Sequence, residues 1–529
     1  MTSLTTALHD TLLRRQPPPA GVDPALLQPL IAALIEALEQ GELGLDLRQA
    51  ALPEGCLDAL AASGWLLESP DAETADAALL VRDGPWLRWR RWHDQLQRCL
   101  SDLIARATTP LTPAPDPSAL QAALAAAASA GLDPQQLAAT QALLQRQLVL
   151  LLGGPGTGKT STVARMLAAA LAIEPHLRIQ LAAPTGKAAA RLNAALSGSH
   201  ALPCSTLHRL LEARGSHRFG RDARRPLELD LLVVDELSMV DLPLMGALLN
   251  ALPASARLLL VGDAGQLPPV GTGAVLEELC RPACREQLGS AVIELTTTYR
   301  NHGAIAAVAA ALRQPPPSGG DPLEAVRPQL EQLPGDANLQ WLEAPLPQLP
   351  AAVIQPLREQ QQQLRQLSQS LRWQGEQVHP GDGDALLEAL EQRIALSPLR
   401  QGPWGVEALH RALLGSVAGA PLERWPLGTP VLNRLNRPEQ ELANGEIGVL
   451  VERDGQRLVL MSAGRLLHPA RLAGAEPALA LTVHKAQGSQ YGEVLLLLPP
   501  SRHSDPRLLY TGLTRARQRV LLVTPVQPT

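Results

Sequence analysis

The run QLVLLLGGPGTGKTSTVAR, Gln147 to Arg165, constrains this chain more than any other stretch. Leu148 to Leu152 is an apolar segment of strand character, and Gly153, Gly154, Gly156 and Gly158 then make a turn that only small residues allow. A helix is predicted from Lys159. Such a strand, loop and helix form a phosphate cradle, because exposed backbone N–H groups and the positive end of the helix converge on one point. Gly153, Gly154, Pro155, Gly156, Thr157, Gly158, Lys159, Thr160 and Ser161 would surround a polyphosphate, with Lys159 at its terminal groups and the Thr160 hydroxyl on Mg²⁺. The pattern G-x-x-x-x-G-K-T is unbroken and in context, so ATP is the expected ligand. A glycine turn that happens to precede lysine is the bland alternative, and it fits this context poorly.

With 529 residues, 46% of them apolar, the chain is long enough for three or four domains with separate cores. Aromatics are scarce, with one Phe, three Tyr and eight Trp, so Leu, Ala and Val must fill those cores. A net charge of −5 gives no overall basic signature, and any nucleic-acid contact must come from a local groove. Cys56, Cys99, Cys204, Cys280 and Cys284 are scattered and odd in number, which suits reduced thiols. No apolar run reaches membrane-spanning length, and the N-terminus lacks a secretory pattern, so a cytoplasmic protein is expected.

Residues 1–110 read as a helical, partner-docking domain. Within it Trp86, Trp89 and Trp92 sit at helical spacing, interleaved with Arg88, Arg90 and Arg91. They suit docking onto a neighbour better than stacking on bases. TTPLTPAPDPS, Thr108 to Ser118, is a linker by composition. A predicted α/β domain over 119–313 contains the cradle, preceded by a capped helix in which Gln136, or failing that Gln141, could read an adenine edge. A solvent-facing glutamine is the even alternative. Residues 314–385 are a Pro- and Gln-rich connection whose QQQQLRQLSQSLRWQGEQ reads as a polar, solvated helix. A second alternating block covers 386–426 and 480–529, interrupted over 427–479 by short β-like pieces. The alternation of helices with apolar strands predicts parallel sheets in both α/β blocks.

Hydrolysis of ATP needs a metal, a positioned water and donors for charge on the γ-phosphate. In VVDELS, Asp235 suits the metal-side carboxylate and Glu236 the group that orients and deprotonates water. Gln266 could report the γ-phosphate, unless it is a surface-loop glutamine. Arg300 and Arg515 are candidates for guanidinium groups reaching that phosphate from a second domain or hinge. Their case rests on their company. The basic loop RGSHRFGRDARR, Arg214 to Arg225, reads as solvated rather than as a phosphate contact.

In order, GGPGTGKT, APTGKAAARL, STLHRLL, VVDELSMVD, GDAGQLPPVG, LTTTYRN, LTVHKAQGSQY and LLYTGLTRAR resemble the successive motifs of superfamily 1 DNA helicases. They are closest to those of the RecD subunits of the bacterial RecBCD helicase-nuclease (exodeoxyribonuclease V), over approximately Leu132 to Pro525. The resemblance implies two RecA-like P-loop domains with parallel sheets, ATP between them, and an SH3-like insertion at 427–479. It implies a 5′ to 3′ motor on single-stranded DNA that unwinds duplex ends for break repair by recombination, with RecB-like and RecC-like partners. Carried over, Thr185, Gly186, Lys187, Thr206, His208, Thr482, His484 and Ser489 would line the DNA track or couple it to ATP. No nuclease cluster is found, so this chain is not expected to cut DNA. A regulatory ATP switch within the same assembly is the alternative, opposed by the completeness of the catalytic set. A conjugative-relaxase-like helicase domain would need a Tyr- and His-bearing transesterase domain, and the N-terminal region has no Tyr.

Overall fold

A computed structural model describes residues 4–39, 41–68, 78–196, 202–215, 218–298, 303–313, 321–335, 337–435, 442–472, 474–500 and 505–526. The N-terminal region is helical at Leu4–Arg15, Leu27–Glu39 and Cys56–Ala62, but it also holds four short strands: β1 Leu45–Asp46, β2 Leu66–Leu67, β3 Leu80–Asp83 and β4 Trp86–Trp89. They form a sheet in the order β1-β4-β3-β2, which corrects the all-helical expectation. Trp86 and Trp89 lie on β4, and the helix starts only at Arg90. Antiparallel pairing of β4 with both β1 and β3, which buries Leu87, outweighs the helical spacing of the tryptophans.

Helix Arg90–Thr108 belongs to the next domain. Its Leu96, Cys99, Leu103 and Ala107 enter the same core as the cradle strand. Arg106, 6% exposed, donates to Ala256 O at 3.1 Å and Pro253 O at 3.3 Å, satisfying carbonyls past the end of helix Leu242–Ala251. The first boundary therefore falls near residue 90 rather than 110.

The first α/β domain carries β5 Leu148–Gly153, β6 Ile179–Ala183, β7 Cys204–Thr206, β8 Leu231–Val234, β9 Arg257–Gly262 and β10 Val292–Leu295. All pairs are parallel, in the order β10-β5-β9-β8-β6-β7. Successive residues of β5 alternate between two cores, Leu148, Leu150 and Leu152 on one face and Val149 and Leu151 on the other. Continuous apolar runs are what a sheet covered on both faces requires.

The second α/β sheet contains β11 Leu339–Ala344, then, after a small hairpin of β12 Trp373–Gln374 and β13 Gln377–Val378, β14 Arg393–Ser397, and later β20 Ala480–Thr482, β21 Tyr491–Leu497 and β22 Ala516–Pro525. It is parallel, in the order β11-β22-β21-β14-β20. Two domain limits change. Helix Ala304–Leu312 packs with Leu396, Val494 and Leu522 and so belongs to this domain, not the first. The supposed connection 314–385 supplies an edge strand, β11, because its apolar Leu339 is drawn into that core.

The interruption is a five-stranded antiparallel sheet, in the order β18-β17-β16-β15-β19, made of β15 Pro430–Leu432, β16 Ile447–Arg453, β17 Gln456–Leu460, β18 Leu466–Leu467 and β19 Glu476–Pro477. The glutamine-rich helix Ala351–Gln369 is not simply solvated. Val353 and Leu357 enter the second α/β core, whereas Leu364 packs on Val449, Val451 and Leu460 of the small sheet. No helix among the described residues is long and apolar enough to cross a membrane.

Candidate nucleotide cleft and DNA track

The carboxyl ends of β5, β9, β8 and β6 are neighbours, so the cradle, Asp263, Asp235 and Thr185 emerge side by side. Gly156 and Gly158 have φ of +76° and +78°, which a side chain would strain; Gly158 immediately precedes helix Lys159–Ile173. Behind the cleft lining, the buried Thr157 braces the loop, its hydroxyl donating to Gly154 O at 2.9 Å. Lys159 Nζ donates to Gly153 O at 2.7 Å and Gly154 O at 3.0 Å, folded onto the loop it serves.

A cleft of about 250 Å³ is lined by Pro155, Gly156, Gly158, Lys159, Thr160, Ser161, Asp235, Glu236 and Gln266 from the first domain, and by Gln490 and Arg515 from the second. Glu236 has φ +53°, a conformation rare outside glycine, and its N–H donates to Asp235 Oδ1 at 2.8 Å. Burial, together with the Glu236 charge, pushes the Asp235 carboxyl above the usual carboxylate range. Among the described residues no group of three or more His, Cys, Asp and Glu is gathered that could hold a metal ion alone. One carboxylate and the Thr160 hydroxyl fit Mg²⁺, which takes its remaining oxygens from phosphates and water.

Arg515, 2% exposed, is held by its own domain: Nε donates to Thr511 O at 3.1 Å and Nη1 to Ser489 O at 3.3 Å. Arg300 lies outside the described residues. Gln136, expected at an adenine edge, is 8% exposed and does not line the cleft; its Oε1 accepts from Asp133 N at 3.2 Å in a capping box at the start of its helix. Arg191 was missed by the sequence reading. It lines the cleft, and its charge interacts with Glu236 and Asp235. The signal was its place one helical turn beyond Lys187 in APTGKAAARL.

The residues expected on the DNA track divide. Thr185, Gly186, Thr206 and His208 line one groove with Ala443, Asn444 and Glu446 of the small sheet's loop. A Cβ at Gly186 would stand 2.5 Å from Ala443 Cβ, so only glycine admits that approach. Thr482 lines a second groove with Arg400, Arg411 and Lys485, and His484 is exposed. Two residues are placed otherwise. Lys187 Nζ sits 5.0 Å over the Tyr491 ring, between the two domains, and Ser489 is buried with its carbonyl bound by Arg515. Both suit coupling better than contact with a strand. In the basic loop, Arg221 and Arg225 bond to Glu212 at 2.8 and 2.7 Å, a structural use of charge.

The N-terminal sheet is docked by Arg88, 2% exposed, which pairs with Glu278 at 3.2 Å, and by Trp86, whose ring lies 3.8 Å from the Arg281 guanidinium. Trp92 packs on the first domain's core. Trp86 and Trp92 thus pack on the first domain, whereas Trp89 joins the N-terminal core.

Residues 135–272 match the AAA domain family and residues 477–523 the UvrD-like helicase C-terminal domain family. The RecBCD enzyme subunit RecD of Mycolicibacterium smegmatis is 38% identical over 93% of this chain and 88% of that protein. The protein of the same name from Mycobacterium tuberculosis is 36% identical over 93% and 86%. The ATP-dependent RecD2 DNA helicase of Deinococcus radiodurans is 34% identical over 74% of this chain and 48% of its own length.

Proposed function

Because this chain belongs to the RecD family of superfamily 1 DNA helicases, we propose that it is the ATP-driven helicase subunit of a RecBCD-type assembly. It would move 5′ to 3′ on single-stranded DNA and unwind duplex ends for recombinational repair in the cytoplasm, with RecB-like and RecC-like partners. The observation that carries this reading is the two-domain cleft: Lys159, Thr160, Asp235, Glu236 and Gln266 face Arg515 from the other domain.

ATP binds with its phosphates on the 153–161 loop, and Lys159 exchanges its two carbonyl partners for phosphate oxygens. Thr160 and Asp235 would hold Mg²⁺, whose charge would offset that of the phosphates. Glu236 takes the proton of a water whose oxygen attacks the γ-phosphorus, and the bond to the β-phosphate oxygen breaks to release ADP and phosphate. Arg515 stabilises charge on the transferring group. Each turnover changes how the domains close, and that motion moves DNA along the grooves at Thr185, Thr206 and Thr482. We assign the small antiparallel sheet, SH3-like in this reading, to the roof of the Thr185 groove.

The test is ATP turnover with and without single-stranded DNA, for wild type and Lys159→Gln, each alone and mixed with RecB- and RecC-type chains. DNA stimulation that Lys159→Gln lowers by about a hundredfold or more is expected. Turnover indifferent to DNA in every mixture overturns the helicase reading in favour of the ATP switch.

A further inference from the structure

Tyr510, on helix Pro506–Leu513 of the second domain, reaches across to the wall of the nucleotide cleft. Its ring is wedged in place. A Cβ at Gly265 would stand 3.0 Å from Tyr510 Cε1 and Cζ, and one at Gly154 would stand 3.2 Å from the hydroxyl. That hydroxyl donates to Asp263 Oδ2 at 2.9 Å. Asp263 is 1% exposed and also accepts from Gly265 N at 3.0 Å and from Gln266 Nε2 at 3.2 Å. Beside it, Leu267 N donates to Thr511 Oγ1 at 2.9 Å, and Gln487 Nε2 donates to Leu267 O at 2.9 Å. The loop that carries Gln266 is therefore pinned by Tyr510, Thr511 and Gln487, all from the opposite domain.

The chemistry of Asp263 fixes which end of the amide is spoken for. Asp263 already accepts from the Tyr510 hydroxyl and the Gly265 N–H, and the nitrogen is the end of the Gln266 amide that donates to it, so the oxygen is left over. That oxygen is buried and has no hydrogen-bond partner among the described residues, although Gln266 lines the cleft. A lone acceptor serves an O–H; it does nothing for a phosphate oxygen, which is itself an acceptor.

Resting on the ATPase reading above, we propose that Tyr510 is a positioning residue for hydrolysis. Acting through Asp263, its hydroxyl fixes the Gln266 amide so that the oxygen is offered to the attacking water. Gln266 then orients the nucleophile that Glu236 deprotonates and does not donate to the γ-phosphate. Since Tyr510 belongs to the second domain, the arrangement exists only while the domains are closed. Opening withdraws the hydroxyl, leaves Asp263 short of a donor and frees the amide to turn.

The experiment is a double-mutant cycle of Tyr510→Phe and Gln266→Ala in the full chain, read as kcat and KM for ATP with saturating single-stranded DNA. Lys159→Gln serves as the blank for any partner's turnover. Tyr510→Phe keeps the wedged ring and should lower kcat at least about tenfold, with KM for ATP and the melting temperature little changed. In the Gln266→Ala background the same substitution should have no further effect on kcat, because its route of action is already gone. Effects that multiply, or a Tyr510→Phe loss confined to KM or to melting temperature, overturn the proposal and leave the helicase reading standing. A wild type without DNA-stimulated turnover overturns the helicase reading and this proposal with it.

Discussion

His410 shows what burial does to one titratable side chain in this protein. On helix Val406–Leu414 and 7% exposed, it places Nε2 3.2 Å from both N and O of Ala480 on edge strand β20. Burial pushes its pKa down to about 4. The unfolded chain holds an ordinary imidazole, near 6.5. Between these values the unfolded state binds the extra proton, so stability is complete above about 6.5 and is lost as pH falls toward 4. From pH 7 to 4.5 wild type should lose about 2 kcal/mol more unfolding free energy than His410→Gln, measured by denaturant titration at each pH. Equal losses would remove His410 from the account.

At the scale of elements, the approach of the small antiparallel sheet to helix Ala351–Gln369 depends on one glycine. Gly428 has φ +79°, and a Cβ there would stand 2.5 Å from Arg365 N and 2.6 Å from Leu364 C, both backbone atoms that cannot swing aside. Gly428→Ala should therefore destabilise by about 3 kcal/mol, combining backbone strain with forced separation of helix and sheet. Gly455, in the turn between β16 and β17, has φ +76° and open space, so Gly455→Ala should cost only about 1 kcal/mol. Thermal unfolding of the two variants side by side separates close approach from conformation. This helix was misread from sequence because its glutamines dominate the composition, whereas a few apolar positions decide what it packs against.

Across the whole molecule, the parts are joined by charge where sheets are not shared. Arg88 and Glu278 form a buried pair between the N-terminal sheet and helix Val275–Cys280, with Arg281 Nε also 3.1 Å from Glu278. Arg507 of the second domain pairs with Glu277 and lies 3.6 Å from Glu42, so three regions meet at one ionic junction. Arg88→Ala leaves Glu278 buried with a weaker complement and should cost about 3 kcal/mol. The double variant with Glu278→Ala should lose less than the sum of the single losses, and a sum that is simply additive would refute the coupling.

Much of this organisation was legible in the chain itself. Apolar runs ended by Gly153, Asp235 and Gly262 marked buried parallel strands, and the phosphate loop and the acidic pair stood out as local motifs that line one cleft, whereas Arg515 was named only for its company. Domain limits were not legible. Whether helix Arg90–Thr108, helix Ala304–Leu312 or β11 joins one core or another depends on which distant surface covers its apolar face, and no local pattern encodes that choice. The same holds within the site. Gln136 sits in a helix cap away from the cleft, and Lys187 lies over the Tyr491 ring between the two domains, placements that depend on distant packing. Sequence determines which groups a residue can offer; only the tertiary structure decides which of them a neighbour, packed from far along the chain, has already taken.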